Sequence, residues 1–463
     1  MDVLHFARTC DAVAATTKKL EKTALVADYL RTTLLSEAAP AVIFLSGRPF
    51  PASEEATLQV GGALLWRVIG ELSGKSEAEL TEIYRRHGDA GSVAAEALAA
   101  KPESGLLLAE VQLVGVQLVE LQLTEVQHVF SQIAAARGPA AKAILLRQLL
   151  ERATPLEAKY IVKIISGDLR IGLKESLVEE AIARAFEAPA DQVKRANMLL
   201  GDIGETLRLA AAGKLGEARL RLFHPIDFML ASPVESSEEA LTYFQNASVE
   251  DKYDGIRAQA HIGGGQVRIF SRTRDEITES FPELPVVLAG LPTDAILDGE
   301  IVAWNSAWNL AGTSAWKSGG VDLPVGRALP FSTLQQRLGR KKVSAKLMHD
   351  VPVAYLVFDV LYADGELLLD RPLRERSRIV DDLLAAPRTL ISRTLIAPGR
   401  QAQSSLDFED LDESLPASVL RAPVATAGSA QDLETLFTAA RDRGNEGLMI
   451  KDLDSLYTPG RRG

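Results

Sequence analysis

Lys252 is the residue whose type and neighbours most directly suggest covalent chemistry. It stands at the end of a predicted strand, followed by the turn sequence Asp254-Gly255 and a second predicted strand. A lysine is nucleophilic only as the neutral amine, and burial beside a cation such as Arg257 would lower its pKa. Strand alternation places Glu250 on the same face as Lys252. From spacing alone, however, a hairpin with a surface lysine is the favoured interpretation.

Carboxylates form a second group of candidate functional residues. Asp298 and Glu300 alternate within one predicted strand and therefore share a face. Such a pair suits a hard cation, which prefers carboxylate and phosphate oxygens. Glu446 immediately precedes another predicted strand and Lys451 ends it, and alternation puts the two on opposite faces. We therefore expect at least one of them to lie past the end of the regular strand if both reach the same ligand.

The elements that must carry these residues lie in the second half of the chain. Short alternating segments rich in Val, Ile, Phe and Tyr, separated by Gly, Asp and Pro, predict an α+β domain with a mixed antiparallel sheet at 219–463. The predicted strands are 247–250, 256–262, 267–271, 295–304, 353–360 and 447–451.

The first half, 1–218, has a helical pattern. Apolar residues recur at three- and four-residue spacing among Ala, Leu, Glu, Lys and Arg, which predicts an all-α domain. Thr154-Pro155 with Glu157 is a helix-start signal. Residues 111–123 alternate instead, and we expect a strand there.

Composition narrows the class of protein. At 463 residues the chain exceeds what one hydrophobic core supports, and 47% hydrophobic with 24% charged residues is typical of a soluble globular protein. Cys10 is the only cysteine, which excludes an intrachain disulfide and a cysteine-based zinc site. The N-terminus lacks the basic and apolar regions of a signal peptide, so we expect a cytoplasmic protein, nucleoid-associated if bacterial.

The charge distribution is uneven. The formal net charge is −11 at pH 7, which argues against a nucleic-acid partner, yet ten basic residues lie between Lys142 and Arg195. They would supply a basic face on an acidic protein, and a solvated helical surface explains them equally well.

Five segments in order resemble the motifs of the covalent nucleotidyltransferases, which comprise ATP-dependent ligases, NAD-dependent ligases and mRNA capping enzymes. The segment 252–257 resembles motif I, KxDGxR. The others are 270–274, which resembles motif Ia; 297–302, motif III; 358–362 with 372–376, motif IIIa; and 446–451, motif IV. The resemblance implies a ligase-type adenylation domain similar to ATP-grasp enzymes.

The resemblance also implies roles around ATP. Glu250 would accept a hydrogen bond from the adenine amino group, Lys252 would attack the α-phosphorus, and Phe358 would stack on adenine. Arg257 and Arg272 would hold the ribose and phosphate, or the 5′-phosphate of a nick.

The remaining implied ligands of ATP are acidic and basic side chains near motifs III to V. Glu300 and Glu446 would contact the ribose and coordinate Mg²⁺, whereas Lys451 and Arg462 would contact the nucleotide. Without the family, a core aromatic is the better interpretation of Phe358.

The helical half resembles the DNA-binding domain that precedes the catalytic core of larger ATP-dependent DNA ligases. The matching segments are 45–51, 157–163 and 167–173. Backbone amides near Gly167 and Gly172 could reach phosphates, and Lys163, Arg170 and Lys174 would add charge. The implied partner is nicked duplex DNA, with no membrane, and we expect a monomer.

Residues 457–463 resemble the approach to motif V, but the sequence stops before the Trp-Leu-Lys segment that normally follows. We therefore expect the phosphate-contacting lysine of motif V and the C-terminal OB-fold domain to be missing, either because this sequence is part of a longer ligase or because it is a natural chain with impaired activity. Losing such cationic contacts costs on the order of 10²-fold in rate each. We therefore expect this chain to bind ATP but to adenylate itself slowly and to seal nicks poorly or not at all by itself.

The resemblance as a whole predicts an ATP-dependent DNA ligase, which seals 5′-phosphate/3′-hydroxyl nicks through a lysyl-AMP intermediate and acts in DNA repair, replication and recombination. Two alternatives remain open. One is an RNA-end nucleotidyltransferase of the same superfamily, for which a duplex-binding helical domain is unnecessary. The other is a non-catalytic or adenylation-impaired nick-binding protein.

Overall fold

The structure, a computed structural model, describes residues 2–99, 120–244, 247–306, 326–340, 342–385 and 417–462. The chain divides into two compact units, Met1–His224 and Pro225–Gly463. Within the described residues, none of the helices combines the length and apolar character needed to cross a membrane.

The first unit is built from α-helices, as the sequence predicts. They are α1 (Val3–Ala14), α2 (Lys19–Thr32), α3 (Leu35–Leu45), α4 (Gly62–Ser73), α5 (Glu77–His87), α6 (Ala90–Ala99), α7 (Leu123–Ala135), α8 (Pro139–Arg152), α9 (Pro155–Ile165), α10 (Glu175–Ala185), α11 (Ala190–Leu200) and α12 (Ile203–Ala211). The predicted start of α9 is confirmed: Thr154 and Glu157 form a reciprocal capping box, and Pro155 occupies the first helical position. One continuous apolar core joins these helices.

We expected a strand at 111–123, but residues 111–119 lie outside the described residues. Residues 120–122 do not form a strand, and a helix begins at Leu123. Helix α7 begins at Leu123, whose backbone amide donates to the Glu37 carboxylate at 2.7 Å. The first amides of a helix lack partners within the helix, and this buried carboxylate supplies one. A contact with α3 thus overrides the local alternation of the sequence.

The second unit is an α+β structure with two sheets. Its strands are β1 (Ala247–Lys252), β2 (Ile256–Gly263), β3 (Gln266–Ser271), β4 (Ala295–Asn305), β5 (Arg327–Ala328), β6 (Val353–Ala363), β7 (Glu366–Leu367), β8 (Ala417–Arg421), β9 (Val424–Ala425) and β10 (Gly447–Asp452). Its helices are α13 (Ser237–Tyr243), α14 (Glu283–Leu288), α15 (Phe331–Leu334), α16 (Ala345–Asp350), α17 (Leu373–Ala385) and α18 (Ala430–Asp442). All six predicted strands are present.

The larger sheet has the order β3-β2-β4-β6-β7, with β5 beside β4 and β8 beside β6. Its pairs are antiparallel except β6 with β8, which is parallel, so the sheet is mixed as predicted. The smaller sheet has the order β10-β1-β9 and is antiparallel. Each sheet packs against its own helices: the larger buries Leu284 of α14 and Val380 of α17, and the smaller buries Leu433 of α18.

The hairpin between β1 and β2 that spacing alone favoured is not present, because the two strands belong to different sheets. Strand β1 pairs with β10 and β9, whereas β2 pairs with β3 and β4. Residues 253–255 carry the chain from one sheet to the other. A Cβ on Gly255 would lie 2.3 Å from the Ile301 carbonyl oxygen, so this crossing requires a glycine. The crossing puts the end of β1 at the boundary between the sheets.

Candidate active site

Lys252 is the last residue of β1, where the chain leaves the smaller sheet. Its carbonyl accepts a hydrogen bond from the Glu446 amide at 2.8 Å, and its Nζ forms an ion pair with the Glu446 carboxylate. The side chains remain 45% and 43% exposed, so a ligand can reach the amine. The burial that would lower the pKa of Lys252 is not present, because nearly half of its side chain is exposed. The Nζ of Lys252 faces the Glu446 carboxylate, and the charge of Arg257 is compensated by Asp298.

Glu250, Lys451 and Phe358 form a compact group beside Lys252. The side chain of Glu250 is 4% exposed and accepts a hydrogen bond from Lys451 Nζ at 2.6 Å. The same Nζ lies 4.3 Å from the centre of the Phe358 ring. Because Lys451 belongs to β10 and Phe358 to β6, both sheets contribute to the group. It offers an aromatic face, a carboxylate acceptor and a cation, which suit a nucleotide base and its phosphates.

Glu446 lies immediately before β10, whose first residue, Gly447, pairs with Lys252. Strand alternation therefore does not determine the direction of the Glu446 side chain. It contacts Lys252 while Lys451, five residues later, contacts Glu250. The prediction that one member of the Glu446 and Lys451 pair lies beyond the regular strand is confirmed.

Arg257 is held by groups from three parts of the unit. Its Nε and Nη2 donate to the two carboxylate oxygens of Asp298 at 3.2 and 2.8 Å, and its Nη1 donates to the Met229 carbonyl at 2.6 Å. The guanidinium carbon lies 5.1 Å from the centre of the Phe228 ring and 5.5 Å from that of Phe358. Asp298 is fully buried, and this bidentate pair fixes the plane of the guanidinium group.

Glu300 lies directly opposite Arg257 in the antiparallel register of β4 and β2. Burial raises the pKa of its carboxyl to about 8, and the nearby negative charges of Asp298 and Asp254 act in the same direction. The positive charges of Arg257 and Lys252 partly oppose this rise in pKa. A cation arriving beside Glu300 would therefore favour its ionised form.

Arg272 and Arg462 are more peripheral than the other predicted ligands. Arg272 follows the last residue of β3 and is exposed. Arg462 is exposed and forms an isolated bridge with Leu230. Across the described ranges, neither side chain has a hydrogen bond or ion pair with Lys252, Glu250 or Glu300, so the structure does not bring these two arginines into the central cluster.

Sequence reasoning missed a polar clamp on the opposite face of β1. The Asp251 carboxylate accepts hydrogen bonds from Arg443 at 2.8 and 2.7 Å and from Asn445 at 2.7 Å. The clamp ties the strand of Lys252 to the end of α18. An acid between Glu250 and Lys252 must point away from them on a strand, and this alternation was the available signal.

A second missed pair joins β6 to α17. Arg376 is buried and donates to the Asp359 carboxylate at 2.8 and 3.0 Å and to the Ser455 carbonyl at 3.1 Å. Asp359 follows Phe358, so this pair fixes the strand that presents the aromatic ring. Both residues lie in the segments matched to motif IIIa, but spacing did not indicate that they pair.

In the helical unit, the three predicted DNA-contacting cations occupy different environments. Arg170 and Lys174 are exposed. Lys163, by contrast, is buried, and its Nζ donates to the Leu169 carbonyl at 3.3 Å and lies 3.2 Å from Asp89. The expectation that Lys163 faces a phosphate is not met in this structure, because its charge is used to hold the 167–173 loop.

Buried and exposed residues alternate in the 167–173 loop, which follows α9. Leu169 and Ile171 are buried, and their carbonyl oxygens accept hydrogen bonds from Lys163 and Lys22. Arg170 has a φ of +51° and is exposed, and its guanidinium donates to the Gly88 carbonyl at 2.6 Å and to the Asp168 carboxylate at 2.7 Å. Gly167, with a φ of +71°, has open space where a side chain would be. The loop thus presents glycine backbone and a cation to solvent.

The chain has an α-helical unit followed by an α+β unit. In the second unit a lysine lies between two sheets, with acidic and aromatic side chains around it. This arrangement is typical of a nucleotidyltransferase. Comparison with sequence families agrees. Residues 2–183 match the family described as DNA ligase N terminus, and residues 228–313 and 320–463 match the ATP dependent DNA ligase domain. The chain belongs to the ATP-dependent DNA ligase family, and it is a ligase enzyme.

Curated relatives support this assignment over nearly the whole chain. A probable DNA ligase of Koribacter versatilis is 53% identical over 461 residues, which cover 99% of this chain and 73% of the relative. A probable DNA ligase of Opitutus terrae is 38% identical and covers 99% of this chain, but only 49% of the relative is matched. A DNA ligase of Methanosphaerula palustris is 33% identical over 99% of this chain and 73% of the relative.

Proposed function

We propose that this protein seals nicks in duplex DNA and that Lys252 carries AMP between ATP and the DNA. The observation that carries the proposal is the position of Lys252, exposed at the boundary of two sheets beside Glu250, Lys451 and Phe358. In this arrangement Phe358 stacks on adenine and Glu250 accepts from its amino group. The α-phosphate then lies near Lys252.

The first step forms a bond between Lys252 Nζ and the α-phosphorus. The bond from that phosphorus to the bridging oxygen breaks, pyrophosphate leaves with the electron pair, and the attacking amine loses a proton to solvent. Lys451 and Arg257 stabilise the negative charge that develops on the phosphate oxygens. In the later steps AMP passes to the 5′-phosphate of the nick, and the 3′-hydroxyl displaces it.

The two carboxylates beside Lys252 fit a magnesium ion. Among the described residues there is no group of three or more His, Cys, Asp or Glu side chains able to hold a metal by themselves. Mg²⁺, however, commonly binds through one or two carboxylates together with substrate phosphates. Glu446 is nearly half exposed and Glu300 lies near Lys252, so both are candidate ligands. The ion would neutralise charge on the phosphates.

The helical unit would hold the DNA by its phosphates. Arg170 and Lys174 are exposed, and Lys174 immediately precedes α10, whose N-terminus carries a partial positive charge. Gly167 allows a phosphate to approach the backbone, since a side chain there is absent. Lys163 supports this surface from within by holding the loop.

Replacing Lys252 tests the proposal sharply when two nicked substrates are compared. One substrate has a 5′-phosphate and is supplied with ATP, and the other already has AMP on its 5′-phosphate and needs no nucleotide. Lys252→Ala is expected to lose sealing of the first but to retain sealing of the second, because only the first requires the lysine nucleophile. Lys252→Arg is expected to behave like the alanine variant, since guanidinium stays protonated.

Lys346→Ala, at an exposed lysine on α16, is the matched control and is expected to seal both substrates at the rate of the parent chain. All variants are compared at the same chain length. Sealing of the 5′-phosphate nick by Lys252→Ala at the parent rate would refute the covalent role of Lys252.

A further inference from the structure

Tyr457 is a buried tyrosine whose hydroxyl group lies within the Arg257 cluster. The residue is 4% exposed. Its hydroxyl donates to Asp298 Oδ2 at 2.8 Å and accepts a hydrogen bond from the Met229 amide at 3.1 Å. Neither the family matches nor the predicted ligand set gives this residue a role.

The two contacts of this hydroxyl are the same two residues that hold Arg257. Asp298 Oδ2 also accepts from Arg257 Nη2 at 2.8 Å, and the Met229 carbonyl accepts from Arg257 Nη1 at 2.6 Å. One hydroxyl group therefore joins both partners of the guanidinium. Removing it would leave Asp298 with one donor fewer and the Met229 amide without its partner.

Arg257 retains hydrogen-bonding capacity after these contacts. A guanidinium has five N–H donors, and three are used by Asp298 and Met229. The remaining two can bind a phosphate or ribose oxygen only if the plane of the guanidinium is fixed. The guanidinium carbon also lies 5.1 Å from the centre of the Phe228 ring and 5.5 Å from that of Phe358, but such contacts do not set the rotation of the guanidinium within its plane. The hydrogen bonds set it.

Tyr457 also belongs to a segment that is tied to the 228–230 segment by its backbone. The Gly460 amide donates to the Phe228 carbonyl at 3.1 Å, and the Leu230 amide donates to the Arg461 carbonyl at 2.9 Å. The ring of Tyr457 lies 5.9 Å from the guanidinium carbon of the buried Arg376. The backbone of this segment and the ring of Tyr457 are therefore both held in place, as a positioning group requires.

We infer that Tyr457 is a positioning residue for nucleotidyl transfer: its hydroxyl fixes Asp298 and Met229 so that the two unused N–H groups of Arg257 meet the reacting nucleotide. This inference rests on the proposed function. It assigns to Tyr457 an effect on the rate of transfer that acts through Arg257, with no direct contact between Tyr457 and the nucleotide.

The test is single-turnover adenylation by the full chain with labelled ATP and Mg²⁺ over a range of ATP concentrations. Tyr457→Phe keeps the ring and removes only the hydroxyl. Its maximal rate is expected to fall roughly 10-fold, the scale of one hydrogen bond to a charged group, while the half-saturating ATP concentration stays within about 2-fold. In an Arg257→Lys background the same change is expected to lower the rate by less than about 2-fold, because the positioned group is gone.

Tyr355→Phe is the matched control. Tyr355 is also buried in this unit, and its hydroxyl contacts the carbonyl oxygens of Ala258 and Leu297, both at 2.9 Å, instead of Asp298 or Met229. Its loss removes a buried hydroxyl from the same unit and is expected to lower thermal stability without the fall in rate.

A second measurement reports directly on the mobility of the Arg257 side chain. With ¹⁵N-arginine labelling, the Nε–H signal of Arg257, assigned by its loss in Arg257→Lys, is expected to be sharp in the parent chain and broadened in Tyr457→Phe. An unchanged rate in Tyr457→Phe, or equal rate losses in Tyr457→Phe and Tyr355→Phe that follow their stabilities, would overturn the inference. Absence of adenylation in the parent chain would instead refute the proposed function, and this inference with it.

Discussion

At the scale of single residues, the site contains three cations that each contact a carboxylate. The pairs are Lys252 with Glu446, Lys451 with Glu250, and Arg257 with Asp298. Exposed pairs contribute little and exchange easily, whereas a buried bidentate pair is held firmly. An arriving nucleotide can thus displace the exposed partner of Lys252 while Arg257 keeps its orientation. The side chain of Lys252 can therefore change partner, whereas that of Arg257 cannot.

Glu300 gives a prediction for pH dependence in the absence of metal and nucleotide. Its pKa is raised from 4.5 to about 8 by burial. The folded state therefore binds this proton more tightly than the unfolded state, and the resulting stability is complete below about pH 4.5 and lost as the pH rises towards 8. Glu300→Gln removes the titration. We expect the thermal midpoint of the parent chain, relative to that of Glu300→Gln, to fall between pH 5 and 9.

Other titrating groups are common to both chains, so only the difference between the two midpoints is interpreted. Parallel curves of midpoint against pH for the two chains would show that Glu300 is ionised throughout and would contradict the assigned pKa. Adding Mg²⁺ with ATP is expected to reduce the difference, because bound cations favour the ionised carboxylate.

Residue types in the site were predictable from the sequence, but their partners were not. The motif matches placed Glu250, Lys252 and Glu300 in one site, and strand alternation put Glu250 beside Lys252. The pairing of Arg257 with Asp298 was not predicted, although both residues were identified. Such partners depend on which strands are neighbours, and that information is absent from the local sequence pattern.

At the scale of elements, a buried ion pair joins the helices that flank the larger sheet. Arg337, just after α15, donates to both carboxylate oxygens of Glu283 at the start of α14 and to the Val351 carbonyl. Both side chains are fully buried. The pair anchors the segment between β5 and β6, and β6 carries Phe358. Stability of this region is therefore required for the shape of the site.

Arg337→Met is expected to lower the free energy of unfolding of the second unit by about 3–5 kcal/mol, because it leaves Glu283 buried without its partner. The measurement is urea unfolding followed by a probe in that unit. Arg340→Met, at an exposed arginine three residues later, is the control and should change stability by less than about 0.5 kcal/mol.

Replacing Glu283 with Leu in the Arg337→Met chain is expected to recover most of the loss, because an apolar pair of similar volume needs no charge partner. If Arg337→Met were as stable as Arg340→Met, the buried pair would have no anchoring role.

The positions of strands were well predicted, because they depend on the local sequence. The pairing of strands was badly predicted, because it depends on distant parts of the chain. All six predicted strands exist, since alternation and turn residues are properties of short segments. The hairpin at Asp254-Gly255 was wrong because a turn sequence does not reveal which sheet the next strand joins. The strand expected at 111–123 was overridden at its end by the contact between Glu37 and Leu123.

At the scale of the whole molecule, an acidic chain is proposed to bind a polyanion through one exposed loop of its helical unit. The net charge of −11 predicts repulsion at long range, so binding must depend on local contacts. Arg170 and Lys174 are the exposed cations at the loop, whereas Lys163 holds it from inside.

The combined change Arg170→Gln and Lys174→Gln tests this surface in the full chain. Each lost phosphate contact is expected to reduce the slope of log affinity against log salt by about 0.9, and hence by about 1.8 for the pair. Binding to a nicked duplex would be measured from 0.05 to 0.5 M salt. Lys214→Gln is the control, because Lys214 is an exposed lysine of the same unit that lies outside the basic run 142–195 and is 3.2 Å from Glu217. Equal slopes for the double variant and the parent chain would show that the loop does not contact phosphates.

The most direct test of the central claim is to identify the residue that receives AMP. The chain is incubated with ATP and Mg²⁺, digested under neutral conditions that preserve a phosphoramidate, and analysed by mass spectrometry, and a portion is treated with pyrophosphate. We predict one AMP group, attached to Lys252 and removed by pyrophosphate with the release of ATP. AMP attached to a different lysine, or AMP on Lys252 that pyrophosphate cannot remove, would contradict the account.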